Sequence, residues 1–263
     1  MLQPNKILVI RFSSLGDLIL TSPIFRELRR IFPGANLNLL TSVGFGDVLD
    51  NNPHLDRIIK HPRKENFEQL NQLIEELQAE EFDLIYDAHR SMRSRWIVSR
   101  LTAFGLKRKP AVWKINKRTL NRKLLIHLGW NRLQQGLSQR EQWLLPLKQH
   151  APHGLDASTE LFPDQEDIDL IETLMSEHNL LPRGFIAIGA SASQPLKCWP
   201  LLHFTHLTEM LIQSGWKIVL VGGPDEPEPE LLEEEFGDKI INLAGRLSPC
   251  LLYTSPSPRD TMS

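Results

Sequence analysis

Asp17 is the first residue of this chain that stands where chemistry can be done. It closes the turn Ser13-Ser14-Leu15-Gly16-Asp17, which joins the apolar run Ile7 to Ile10 to a helical pattern. A carboxylate at a helix entrance either caps the helix and complements its dipole or takes a proton from a bound hydroxyl. A second turn, Gly189-Ala190-Ser191-Ala192-Ser193, follows another apolar run, and Lys197 lies just beyond it. The hydroxyls of Ser191 and Ser193 and the backbone N–H groups there suit phosphate oxygens. After VLVGGP, Asp225 and Glu226 stand where a carboxylate accepts hydrogen bonds from ribose hydroxyls in dinucleotide-binding folds, with a plain acidic surface loop as the alternative. His203 and His206 are three apart in a helical pattern without further ligands, and read as surface or packing residues. No metal site and no cofactor are expected.

Positioning these residues requires alternating strands and helices. Ile7 to Ile10 has no period-2 alternation, as expected of a strand buried on both faces of a parallel sheet. Leu18, Ile19, Ile24, Phe25, Leu28 and Ile31 then recur near helical spacing until Pro33-Gly34. Strands are expected at 36–41, 57–60 and 82–86, and helices at 67–79 and about 93–104. His89, Arg90, Arg93 and Arg95 follow the last of these strands. After the polar stretch 150–165 a second series begins: helix 166–178, strand 184–188, helix 200–213, strand 216–221, helix 229–236 and strand 239–243. Such alternation means parallel βαβ units, so the chain is expected to be α/β, with two Rossmann-like domains facing a cleft and the second incomplete. The domains are placed at 1–155 and 156–249.

The 263 residues are 41% hydrophobic and 24% charged, an ordinary globular composition with a net charge of -2 that carries no message of its own. Two cysteines, Cys198 and Cys250, cannot build a disulfide framework, and no apolar run approaches the roughly 18 residues of a membrane span. A cytoplasmic protein is the expectation. Charge is unevenly spread, however. From Lys107 to Arg132 there are nine basic residues (Lys107, Arg108, Lys109, Lys114, Lys117, Arg118, Arg122, Lys123 and Arg132) and no acidic one, interleaved with Trp113, Leu120, Leu124, Leu125, Ile126 and Trp130. This reads as a folded or membrane-facing amphipathic surface for anionic ligands, or as a solvated helix face. No nucleic-acid motif accompanies it, so nucleic acid is not an expected partner.

From Cys250 the pattern collapses into CLLYTSPSPRDTMS, of which CLLYTSPSPRD reads as the in-frame translation of a transposase-type sequencing adapter. Residues 250–263 are therefore expected to be a non-native tail on a chain cut within its second domain. Such a fragment is expected to be inactive and poorly soluble, since a half-built sheet leaves an apolar face uncovered.

Several motifs together carry a family resemblance. RFSSLGDLILTSP (11–23), PGANLNLLT, NNPHLDRI, DLIYDAHRSMRS (83–94), GASASQPLKCWP (189–200), VLVGGPDE (219–226) and INLAGRLS (241–248) resemble the ADP-heptose:lipopolysaccharide heptosyltransferases, glycosyltransferase family 9, from Lys6 to about Pro249. The first and fifth of these are the specific ones. The resemblance implies the two-domain GT-B architecture and an inverting transfer of heptose from ADP-heptose to a Kdo-containing lipid A core acceptor, at the cytoplasmic face of the inner membrane. It implies Asp17 as general base and Lys197 as a contact to the donor diphosphate, beside Ser191, Ser193 and one of Asp225 and Glu226. Ser13, Ser14, Gly16, His89, Arg90 and Arg93 fall on the implied acceptor side, with His89-Arg90 standing where many members carry Gln-Gly. The family's D-T-G-x-x-H segment, which grips the nucleotide-sugar, is expected beyond Pro249. Two other readings remain: a family 9 transferase using another nucleotide-sugar or a protein acceptor, and a non-catalytic nucleotide-binding protein on paired Rossmann domains.

Overall fold

A computed structural model describes residues 3–64, 66–103, 109–117, 119–130, 136–191, 197–248 and 251. The chain divides into two compact units, with the division between Leu161 and Phe162. In the first unit five strands form one sheet, β1 (Lys6–Ile10), β2 (Asn36–Ser42), β3 (Arg57–His61), β4 (Leu84–Asp87) and β5 (Ala111–Lys114), in the order β3-β2-β1-β4-β5. Every pairing is parallel. β1 lies in the middle, and Ile7, Leu8, Val9 and Ile10 are wholly buried, which is why the run lacks alternation.

Helices cover both faces. On one side α3 (Phe67–Ala79) and α4 (Met92–Leu101) bring Leu73, Ile74, Leu77, Ile97 and Leu101 onto Leu8, Ile10, Leu40 and Ile85. Both start on reciprocal caps, Asn66 with Gln69 and Ser91 with Ser94, which satisfy backbone donors that a helix start otherwise leaves open. The helix expected after the first turn is broken in two, α1 (Leu15–Ile19) and α2 (Ser22–Ile31). Pro23 explains the break, because it has no N–H to donate to the carbonyl four residues back and its ring crowds that carbonyl.

The basic stretch resolves into more structure than its composition suggests. β5 is a four-residue, half-buried edge strand inside it, too short to show as a periodic pattern and with an exposed lysine, Lys114, at its end, which suits an edge. Next comes α5 (Thr119–Leu128), ended by Gly129 at φ 67, whose N–H bonds Leu125 O at 3.1 Å. α6 (Gln139–Leu144) completes this part and buries Trp143 and Leu144. Lys107, Arg108, Arg118 and Arg132 lie outside the described residues, as does residue 104 at the end of the expected helix 93–104.

Residues 156–161, assigned from sequence to the second domain, belong to the first unit. Arg26 of α2 holds them: it donates to Glu160 Oε2 at 2.9 Å and to the carbonyls of Asp156 and Ser158 at 3.0 Å each. The Glu160 N–H in turn donates to Ser22 Oγ at 3.0 Å.

The second unit carries a three-stranded parallel sheet, β6 (Phe185–Gly189), β7 (Lys217–Val221) and β8 (Ile240–Asn242), in the order β6-β7-β8. α8 (Leu201–Gln213) and α9 (Pro227–Phe236) cover one face, where Ile188, Ile218, Leu220, Leu232 and Ile240 meet. α7 (Gln165–Glu177) lies on the other, with Leu174, Leu180, Val219 and Leu243. Among the described residues no helix is long and apolar enough to cross a membrane. Residues 252–263 of the expected tail lie outside the described part.

Because charge-assisted hydrogen bonds contribute about 1.5–3 kcal/mol each, Arg26→Ala is expected to loosen 156–161 first. Limited proteolysis should cut there several-fold faster in the variant, whereas an unchanged cleavage rate would show that the segment is held by other contacts.

Candidate active site

In the first unit, the chain runs out from β1 to β2 and β3 and then returns to β4 on the other side of β1. That reversal is a topological switch point, where the loops beyond the carboxyl ends of adjacent strands part and leave a crevice. Three loops meet there: 11–14 after β1, 88–91 after β4 and 115–117 after β5. Asp17 stands on α1, third from its start, and Ser14 rather than Asp17 occupies the cap position. Its carboxylate points instead to Arg11, with Nη2 to Oδ2 at 2.5 Å, and takes a longer hydrogen bond from Ser14 Oγ at 3.4 Å.

Arg11 is almost fully buried. Its Nε donates to Ser13 O at 2.9 Å and Nη1 to Ala88 O at 2.7 Å, and the guanidinium carbon lies 4.7 Å from the centre of the Trp143 ring. Burial lowers the Arg11 pKa, and the Asp17 carboxylate opposes that shift. Around Asp17 a pocket of about 200 Å³ is lined by Arg11, Ile115, Asn116, Lys117, Gln139, Gln142 and Trp143. Lys117 is pushed down mainly by partial burial and next by the charge of Arg11. A carboxylate set among cations and amides in an open pocket can accept a proton from a hydroxyl while the surrounding donors hold a polar, anionic molecule.

The loop after β4 is shaped by Asp87, a buried residue whose role was not legible in the sequence. Its Oδ1 accepts the N–H groups of His89 at 3.1 Å and Arg90 at 2.7 Å, and Oδ2 accepts Ser94 Oγ at 3.2 Å. Arg90 thereby adopts φ 53. His89 packs edge-on against Phe12, ring centres 5.6 Å apart. Its pKa is pushed down to about 4, first by burial and then by Arg11 and Lys117, so it is neutral at pH 7. Arg93 is spent within the fold: its guanidinium lies 4.0 Å from the Phe12 ring centre and donates to Pro62 O at 3.1 Å.

Sequence reasoning also missed Arg11, Gln139, Gln142 and Trp143. Arg11 did carry a signal. A charged residue directly after a wholly apolar strand is carried toward the interior and must find partners there. The other three come from α6, which nothing in the motifs attached to Asp17.

In the second unit, Ser191 donates to Glu228 Oε2 at 2.6 Å, and this bond holds the Glu228 carboxyl below the usual range. Ser193 lies outside the described residues, and Lys197 is described and exposed. Trp199 stacks on His203, ring centres 5.1 Å apart, which gives that histidine a packing role. Asp225 is exposed, while the Glu226 side chain lies over Gly222 and Gly223, where a β-carbon at Gly222 would collide with its carboxylate. Gly245, at φ 73, supports the same loop. Its N–H bonds Gly222 O at 2.9 Å, and a β-carbon there would come within 2.9 Å of Pro224 Cα.

Two α/β units in sequence, each built on a parallel sheet, fit the GT-B class of folds. The family model for glycosyltransferase family 9 (heptosyltransferase) matches residues 70–249, and the chain belongs to that family. Lipopolysaccharide heptosyltransferase 3 of Escherichia coli is 26% identical over 242 residues, which cover 83% of this chain and 64% of that protein. The chain thus spans less than two thirds of that relative's length. The family 9 glycosyl transferase from Veillonella parvula superposes with a TM-score of 0.72 at 21% identity, over 94% of this chain and 72% of that one. An E. coli heptosyltransferase solved with ADP-2-deoxy-2-fluoro heptose gives 0.59 at 22% identity, over 90% and 76%. At these identities the two structures bear on the fold.

The depressed pKa of His89 has a stability consequence. Between pH 6.5 and about 4 the unfolded chain binds a proton on this residue that the folded chain does not, so this contribution to stability is full above pH 6.5 and is lost as pH falls to about 4. Denaturant melts at pH 7.5, 5.5 and 4.5 are expected to show a shallower loss in His89→Gln than in the parent. Parallel pH profiles for the two would contradict the assignment.

Proposed function

We propose that the protein transfers a heptose from ADP-heptose to a hydroxyl of a Kdo-lipid A inner-core acceptor, with inversion and with Asp17 as general base. The single observation that carries this reading is the Asp17 carboxylate in a cation-rich pocket at the switch point of a family 9 chain. The names of the relatives support the sugar and the lipopolysaccharide, and the ADP-sugar of the solved E. coli enzyme supports the nucleotide. In the proposed step Asp17 takes the acceptor proton as the acceptor oxygen bonds to the anomeric carbon, and the bond to the diphosphate breaks on the opposite face. ADP leaves with the bonding electron pair, and its charge is offset by Lys197 and by the donors of the 189–193 loop. Asp225 or Glu226 accepts the ribose hydroxyls.

Ser13, Ser14, Gly16, His89 and Arg90 border the acceptor in this reading, and Arg93 acts by holding Phe12 beneath the loop. A neutral His89 can then donate or accept a hydrogen bond without adding charge. The basic stretch 107–132 rests against the anionic membrane surface that holds the acceptor, at the cytoplasmic face of the inner membrane.

Asp17→Asn in the full-length gene product is expected to lower heptose transfer by about 10²- to 10⁴-fold, read from ADP release with acceptor present. A wild-type rate would sink the reading. Screening nucleotide-sugars tests the donor, and turnover with another sugar would move the protein to a different branch of the family. Lys197→Ala is expected to weaken donor use at least tenfold in kcat/KM. Tight nucleotide binding without any turnover would instead favour a non-catalytic binding protein.

A further inference from the structure

We propose that Arg11 is a positioning residue that aims the Asp17 carboxylate, an inference that rests on the reading of Asp17 as base. The guanidinium has no room to turn. Nε is committed to Ser13 O, Nη1 to Ala88 O and Nη2 to Asp17 Oδ2, at 2.9, 2.7 and 2.5 Å, and one face lies over Trp143. These contacts tie the loop after β1 to the loop after β4 and to α6, so that Asp17 is referenced to three segments rather than to its own five-residue helix alone.

The carboxylate is held asymmetrically. Oδ2 receives both Arg11 and Ser14, whereas no hydrogen bond to Oδ1 is found among the described residues, and the side chain, 35% exposed, lines the pocket. One oxygen is clamped and the other is available to an acceptor hydroxyl. A clamped carboxylate loses the freedom to swing away from the attacking line, and misplacement of about 1 Å is enough to cost about 100-fold in rate. Lysine at this position would keep the charge but not the planar fork, and its ammonium would not satisfy the same three acceptors in one plane.

The test is a double-mutant cycle in the full-length gene product, with Arg11→Lys, Asp17→Asn and the pair. Arg11→Lys is expected to lower kcat by about 10- to 100-fold while the donor KM stays within about twofold. In the Asp17→Asn background the same change is expected to do little further, because a residue acting through Asp17 has nothing left to aim. If the two losses multiply instead, Arg11 acts on folding or binding and the proposal is overturned. It is also overturned if Arg11→Lys keeps the parent kcat while Asp17→Asn loses it. A parent rate in Asp17→Asn, by contrast, removes the base itself and is recognisable as failure of the underlying reading.

Should Arg11→Lys fail to fold by circular dichroism, the cycle is run with Trp143→Leu, which removes the platform under the guanidinium and leaves the arginine in place. A fall in kcat of at least fivefold that disappears in the Asp17→Asn background supports the proposal. A multiplicative fall, or none, overturns it.

Discussion

A guanidinium withdrawn from water at the end of an apolar strand has to be met by acceptors on its edges, and Arg11 imposes that demand on the first unit. β1 is buried from Ile7 to Ile10, so the residue after it arrives in the interior whatever its chemistry. An unpaired charge there would cost several kcal/mol, and the loops therefore converge on it. Ser13, Ala88 and Asp17 supply oxygens, and Trp143 supplies the face of a ring. The pocket beside Asp17 is the space left where these loops part at the switch point.

Asp87 does for the second loop what Arg11 does for the first. It sits at the end of β4 with both oxygens occupied, and it winds residues 88–90 tightly enough to give Arg90 a positive φ. His89 is thereby packed against Phe12, and burial first and the neighbouring cations next keep it neutral. Charged residues with internal duties thus surround one carboxylate that remains partly open. The basic character of the region is only in part a surface for ligands, since Arg93 is consumed by Phe12 and Pro62.

The strand–helix alternation was legible because it is written in local periodicity. The helix over 67–79 and every strand of the two units except β5 fall within a few residues of where apolar spacing puts them. What periodicity missed has definite causes. Pro23 divides a helix whose apolar face continues through it, and β5 is four residues long among basic neighbours. The limit of the first unit shifts to Leu161 because Arg26 reaches across more than 120 residues of sequence to hold a polar segment that reads as a linker.

The sequence by itself determined the α/β class, the placing of Asp17 at a strand-to-helix turn and the family motifs, since each depends on residues close together in the chain. Only the tertiary structure decided that Asp17 leaves the cap to Ser14 and turns to Arg11, that Arg93 packs inward, and that Gln139, Gln142 and Trp143 of α6 line the same pocket. The physical reason is that burial of a charge is settled by whichever partners the whole fold brings within hydrogen-bond reach. For Arg11 two of those partners, Ala88 and Trp143, lie about 75 and 130 residues away in the chain, where no local pattern records them.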